Sequence, residues 1–403
     1  MKKIGSIGGF SLLFVTFLGA SEATLSMQES IQKLQEKVAK LEAQQRVKKG
    51  VLELASTDTV LSIGGRIQLN VKYSSPNTSF FASKIAASDQ EESDAFTANA
   101  RDSRLWIKTR TPSDLGMIRT TLEIDFFGSS ATNVSVNDHN PRLRHAYVQI
   151  GDFGFGQTNS AYNSIVAIET LNYAMDDTLV RQPVLRYTHN DGGFAWDLSI
   201  EEPDATFFTP ASATLQKGKS DTLPDLIVAM RYYATWGKLG LSYLSRAIRY
   251  EADEHSDTKY GYGVNFSGRV KLFGLDDLRF NANYGEGSGR YIAYNGFGSG
   301  VIDPNGEIDL TKIVSAHIGY RHWWSEKLRS TLAYSYIKGD TAIEYMNDPS
   351  NVTKESYSLQ ANLLYNPVKH VLTGLEYIYA KREFEDTRKG DSQGINFIFR
   401  FDF

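Results

Sequence analysis

From Thr59 to the C-terminus the chain alternates apolar and polar side chains in runs of similar length, beginning with Thr59–Tyr73 and ending with Gly390–Phe403. Alternation with a period of two is the signature of a strand with one apolar face, and about sixteen such segments can be read. The text before Thr59 has another period. Ile31, Leu34, Val38 and Leu41 recur at three-four-three spacing with Glu and Lys between them, which predicts a helix over 24–48 carrying a short coiled-coil seam, joined by a connector over 49–58. Two heptads barely overcome nucleation alone, so the seam is expected to assemble with copies of itself; the plainer alternative is a solvated amphipathic linker. Ahead of it, Lys2 and Lys3 precede an apolar run from Ile4 to Leu18 and then small residues. This predicts a secretory signal over 1–23, cleaved after Ala20 or Ala23. An anchor helix is the alternative, and Gly5, Gly8 and Gly9 in a short run weigh against it.

The connections between the alternating segments fall into two kinds. Tight turns such as Asn190-Asp191-Gly192, Phe273-Gly274-Leu275 and Asn366-Pro367 alternate with long polar stretches such as Phe80–Ser93, Pro203–Thr222, Gly287–Asp309 and Asp340–Lys354. Short turns at one end and long loops at the other suit an antiparallel barrel set in a membrane, with the turns periplasmic. A soluble sandwich or propeller has no reason to alternate so. No run of eighteen apolar residues follows the N-terminus, so spanning helices are excluded. The fold class expected is all-β: a transmembrane antiparallel β-barrel over 59–403, preceded by the short coiled-coil helix.

The last strand sets the rule for reading faces. In Gly394–Phe403 every odd position from Ile395 is large and apolar, with Asn396, Ile398, Arg400 and Asp402 between. An aromatic ridge of this kind is an aggregation hazard in water and stable against lipid. Ending on Phe403, it resembles the signal by which outer-membrane proteins reach their insertion machinery. In Thr59–Tyr73 the same rule sends Ile67, Leu69, Val71 and Tyr73 to lipid and Arg66, Gln68, Asn70 and Lys72 inward. Tyr73, Tyr284, Tyr320, Tyr336, Tyr365 and Tyr379 would supply interfacial girdles.

Composition sharpens this in two respects. Cys is absent, which leaves no disulfide framework and disfavours a zinc or iron–sulfur site. The formal net charge of −4 is too near neutral to suggest nucleic acid. Yet the inward list is basic, with Arg119, Arg231, Arg246, Arg279, Arg321 and Arg329 among its members, while the inward acids Asp102, Glu123, Asp125, Asp197, Glu376 and Asp402 are fewer. A narrow channel with low-dielectric walls focuses such a field onto passing ions, so anion preference is expected.

Between Asn140 and Ile200 the residues carry a family likeness. The run Pro141-Arg142-Leu143-Arg144-His145-Ala146-Tyr147-Val148-Gln149-Ile150, a tight turn, and Gly154-Phe155-Gly156-Gln157-Thr158 precede a loop of some two dozen residues and Arg186-Tyr187. The stretch resembles the middle of trimeric porins. With the N-terminal seam and Ser62-Ile63-Gly64-Gly65-Arg66, the sequence looks most like the DcaP-like porins, associated with uptake of dicarboxylates and other small anions. Phosphate-selective porins share part of these motifs. The resemblance implies that the third long loop, about 159–182, folds into the barrel as a constriction. It implies a basic wall facing loop acids, for which the candidates are Arg66, Arg104, Arg119, Arg142, Arg144, Arg181 and Arg186 against Glu169, Asp176 and Asp177. The segment Arg142–Ile150 does not alternate cleanly: Arg142, Arg144 and Ala146 share one parity, assigned here to the lumen, and His145 and Tyr147 the other, assigned to a subunit contact.

No catalytic signature accompanies this pattern. The seven His are scattered, without a Ser or Cys partner in an elbow. Gly285-Glu286-Gly287-Ser288-Gly289 lacks the Lys-Ser/Thr and the helix of a phosphate loop, and the acidic loop clusters lack an EF-hand register. The expectation is a homotrimeric diffusion channel in the outer membrane of a Gram-negative bacterium, with no enzyme activity, cofactor or metal. Its partners would be lipid, lipopolysaccharide, small anionic solutes and, through Phe403, the insertion machinery. The alternative is a barrel with an enzymatic or adhesin-like role.

Overall fold

The computed structural model describes residues 33, 34, 36, 37, 51–54, 58–75, 85, 87, 93–128, 139–172, 178–218, 223–252 and 255–403. The predicted signal over 1–23 lies outside them. Of the predicted helix over 24–48 only Lys33, Leu34, Glu36 and Lys37 fall inside, all helical and exposed.

Among the described residues, sixteen antiparallel strands form a closed barrel. In chain order they are β1 (Thr59–Ser75), β2 in two pieces (Ala95–Asn99 and Arg104–Thr111), β3 (Ile118–Asp125), β4 (Arg142–Ile150), β5 (Phe153–Asn159), β6 (Arg181–Asn190), β7 (Phe194–Glu201) and β8 (Asp225–Ala234). The circuit continues through β9 (Gly237–Ala252), β10 (His255–Lys271), β11 (Asp277–Glu286), β12 (Lys312–Trp323), β13 (Leu328–Asp340), β14 (Thr353–Tyr365), β15 (Val371–Phe384) and β16 (Lys389–Asp402). Each strand pairs with its chain neighbours, and β16 returns to β1, with Arg66 opposite Asp402 and Tyr73 opposite Ile395. Closure leaves no unpaired edge, which is the condition for strands to cross a bilayer. Where a connector was expected, Val51–Leu54 is a strand folded back on Thr59–Ser62.

The faces follow the alternation. In β16 Ile395, Phe397, Phe399 and Phe401 are exposed, while Asn396 and Ile398 are buried. Ile67, Leu69 and Tyr73 likewise stand outward from β1, and Leu332, Tyr334, Leu359, Leu363, Leu375 and Tyr377 continue the apolar belt on β13 to β15. Stripped of water by lipid, such side chains stabilise the barrel where in solution they would aggregate it.

Three features depart from the sequence expectation. First, β9 and β10 run on to Ala252 and from His255, joined by residues 253–254, so one connection at the loop end is as tight as those at the turn end. Second, the long loops have structure of their own: Thr206–Thr209 and Ser212–Lys217 of the fourth join Gly300–Ile302 and Ile308–Leu310 of the sixth in a four-stranded sheet. Third, the inner face is not uniformly polar. Inward Ile227, Leu244, Ile313, Ile337 and Ala380 pack with Tyr291, Ile292 and Phe297 of the sixth loop and Tyr162 of the third. Where the loops pack on the β8–β15 wall, alternation gives apolar residues on both faces; the rest of that inner face, with Asn265, Asn281, His317 and Gln360, stays polar.

Candidate pore constriction

The third loop leaves β5 after Asn159 and returns at Arg181; the Ser160 N–H donates to the Val180 carbonyl across its base. Between these points it runs along the inner wall and is fastened at each step. Lys238 on β9 donates to the Ile165 carbonyl (2.7 Å) and Arg279 on β11 to that of Ala167 (2.6 Å). Glu169 accepts Arg321 (3.1 Å) and Arg329 (2.9 and 2.6 Å) from β12 and β13. On β15, the buried Glu376 accepts the backbone N–H groups of Leu171 (2.6 Å) and Asn172 (2.8 Å), the Asn172 side chain (2.9 Å) and Asn362 (3.1 Å). Four donors converge on one carboxylate, which satisfies backbone groups that would otherwise be costly in a dry site. Burial acts to raise the pKa of Glu169, but the bonds and charges of Arg329 and Arg321 outweigh it and hold the group below the usual carboxylate range.

Glycines make room for this course. A Cβ on Gly240 would meet Ile165 at 2.8 Å, one on Gly263 the Tyr162 hydroxyl at 2.9 Å, and one on Gly319 the Ile168 side chain at 2.5 Å. The loop lies where the strands have no side chains.

Opposite the loop stands the wall of β16, β1 and β2. Arg66 faces both Asp402 and Arg104 in register, and its Nε donates to the Asp402 carboxylate (2.8 Å), which Arg400 approaches at 3.0 Å. Arg104 sits 3.7 Å from Glu123. Gln68 donates to Asn70, and Asn70 to Asp102 (2.6 Å). Loop and wall enclose a cavity of about 430 Å³ lined by Arg66, Arg104 and Arg400, by Asp102 and Glu169, and by an apolar strip of Leu364, Leu372 and Ile398. Three guanidinium groups against two carboxylates leave the lining positive.

The expected basic wall divides. Arg66 and Arg104 line this cavity; Arg119, exposed towards the turn end, does not. Arg142 is bonded twice to Asp125 (3.0 and 2.7 Å), and Arg144 to Glu123 (2.6 Å) and Asp125 (2.8 Å). The irregular parity of β4 is a bulge: Ile124 faces Leu143 and Glu123 faces His145, leaving Arg144 as the extra residue. Arg142 and Arg144 therefore share the inner face with His145, Tyr147 and Gln149, while Ala146, Val148 and Ile150 face out. The assignment of His145 and Tyr147 to a subunit contact is corrected accordingly. Arg186 faces inward and donates to the Asn159 carbonyl (2.8 Å), with Glu201 at 3.4 Å, whereas Arg181, five residues before it, takes the outward parity with Pro183 and Leu185. Glu169 pairs with Arg321 and Arg329 and with none of the candidate arginines, and Asp176 and Asp177 lie outside the described residues.

Several inward carboxylates were missed because they begin or end strands: Glu201, Asp225 and Asp277 pair with Arg186, Arg246, and Arg279 and Arg321. The lumen is thus a lattice of ion pairs with local positive excess. Arg400 and Glu376 were legible as inward residues, but only the closed register brings them to the third loop.

A family model described as DcaP outer membrane protein matches residues 53–403. The outer membrane channel DcaP of Acinetobacter baumannii shares the fold, with a TM-score of 0.75, 24% identity, and 86% of this chain and 97% of that one covered. An anion-selective porin from Comamonas acidovorans is also similar (TM-score 0.54, 13% identity, 86% and 100% covered), as is Salmonella typhi OmpF (TM-score 0.53, 11%, 86% and 98%). No curated relative matches the sequence.

Proposed function

The chain belongs to the DcaP outer membrane protein family, which places it in the Gram-negative outer membrane, and from that premise we propose that it is a passive channel for small hydrophilic solutes with a preference for anions such as dicarboxylates. The observation that carries this reading is the cavity between the third loop and the Arg66, Arg104 and Arg400 wall. A solute there meets guanidinium groups on one side and loop backbone with Glu169 on the other, a transverse field that orients charged and dipolar molecules and disfavours apolar ones. Its passage needs no bond made or broken. The apolar packing of the sixth loop fills part of the barrel along β8–β15 and narrows the space left for solute.

The protein would assemble as a homotrimer through the β2–β6 sector. There the outward parity carries the Thr109–Thr120 hydroxyl pair (2.7 Å), Gln157 and Arg181, groups poorly suited to lipid. Purified protein in a planar bilayer under a KCl gradient tests the channel: stepwise conductance with an anion-selective reversal potential is expected. Silence would remove the channel reading, and cation selectivity the role given to the wall.

A further inference from the structure

Beneath the third loop, outside the cavity lining, three cations stand side by side on the inner face near the turn end. Lys238 on β9 is directly opposite Arg269 on β10, and Arg269 directly opposite Arg279 on β11. Cross-strand neighbours of this kind have Cβ atoms about 5 Å apart, and like charges so placed repel. Across the barrel, Arg66, Arg104, Arg142, Arg144, Arg186, Arg231, Arg246 and Arg329 each have a carboxylate partner. In this row the outer members are committed. Lys238 donates to the Ile165 carbonyl, and Arg279 to the Ala167 carbonyl and to Asp277 (2.7 Å). The acid nearest the row, Asp277, is also taken by Arg321. Arg269, between them, makes no ion pair among the described residues, and its Nε is buried without a hydrogen-bond partner there. The next position along the row is Gly319, opposite Arg279, which adds no side chain of its own there; Ile168 of the third loop packs against it. None of the three lines the constriction cavity.

We propose that Lys238, Arg269 and Arg279 form a second anion site, separate from the constriction, that binds one oxyanion through Arg269. A carboxylate or phosphate group there accepts the Arg269 donors and relieves the repulsion along the row. Lys238 and Arg279 are held by the loop they support, so the site needs little ordering on binding. In a channel, such a site would hold an anion on the turn side of the third loop after it clears the constriction; that role rests on the function proposed above, but the binding itself does not.

Calorimetric titration of the full-length protein in detergent at low ionic strength tests it, with inorganic phosphate in one arm and acetate in the other to separate the two oxyanion types. The Arg66→Ala/Arg104→Ala/Arg400→Ala variant removes the constriction's guanidinium groups and is expected to retain saturable binding of at least one probe. Adding Arg269→Ala should weaken that binding about tenfold or more, the scale of a lost charge-assisted contact, and Arg269→Lys should restore part of it. Equal binding with and without Arg269, or no saturable binding of either probe, would overturn the proposal. Arg269→Gln serves if the alanine variant fails to give the heat-modifiable folded form in detergent gels. Absence of KCl conductance in the parent protein would count against the channel and leave the binding result standing.

Discussion

Lumen arginines divide by what they are bonded to. Arg142 and Arg144 are held by Asp125 and Glu123, and Arg186 is bonded to the Asn159 carbonyl and approaches Glu201. Arg66 and Arg104 line the cavity. Replacing both with Ala is expected to move the reversal potential in a KCl gradient towards the cation side, while Arg186→Ala should leave it close to the parent value. The reverse ranking would place the constriction elsewhere. At the turn end, Asp276 accepts the Tyr320 hydroxyl (2.6 Å), His322 (2.8 Å) and the Trp323 N–H (2.9 Å), which hold its pKa at about 2, below the ordinary 3.8. A depressed carboxylate lends stability above its unfolded pKa and loses it as pH falls through the folded one. Asp276→Asn should therefore be less thermally stable than the parent in detergent at pH 6, with the gap closing between about pH 4 and pH 2. A gap independent of pH would mean that the carboxylate's charge is not what matters. Side-chain type and parity made Arg66, Arg104 and Arg400 legible as inward cations; their partners were not, because pairs such as Arg66 with Asp402 span 336 residues of sequence.

At the scale of elements, the strands were legible from alternation alone, since a period of two fixes which residues meet lipid. Parity fails where an extra residue enters. The bulge at Arg144 reverses the lower half of β4, and the sequence marks it only by putting Arg, Arg, His and Tyr where no single alternation fits. The third loop's length was legible and its fastening was not, because the clasp on Glu376 comes from a strand some two hundred residues away. Glu376→Ala leaves the Leu171 and Asn172 amides without their acceptor, at a cost of about 1–3 kcal/mol each. Single-channel records should then show added substates and open-channel noise; quiet, parent-like currents would mean that the other fasteners suffice. Gly319→Ala drives a methyl to 2.5 Å from Ile168, and overpacking of this kind costs about 1–3 kcal/mol. The loop is expected to yield towards the cavity and lower the unitary conductance, which an unchanged conductance would contradict.

For the whole molecule, the barrel was foreseeable and its partial filling was not. Apolar inward residues on β8 to β15 read as ordinary strand sequence until the sixth loop is seen packed on them. The seam has a further meaning. β1 and β16 are the first and last barrel strands, and Phe403 exchanges both backbone hydrogen bonds with Gly65 (3.0 and 3.1 Å). Among the described residues the pairing that completes the wall is thus the longest-range strand contact, and such contacts form late and slowly. Until β16 docks, β1 carries an unsatisfied edge from Arg66 to Ser75. Closure is therefore all-or-none: a barrel in which β16 has not paired with β1 would remain an open, adhesive sheet.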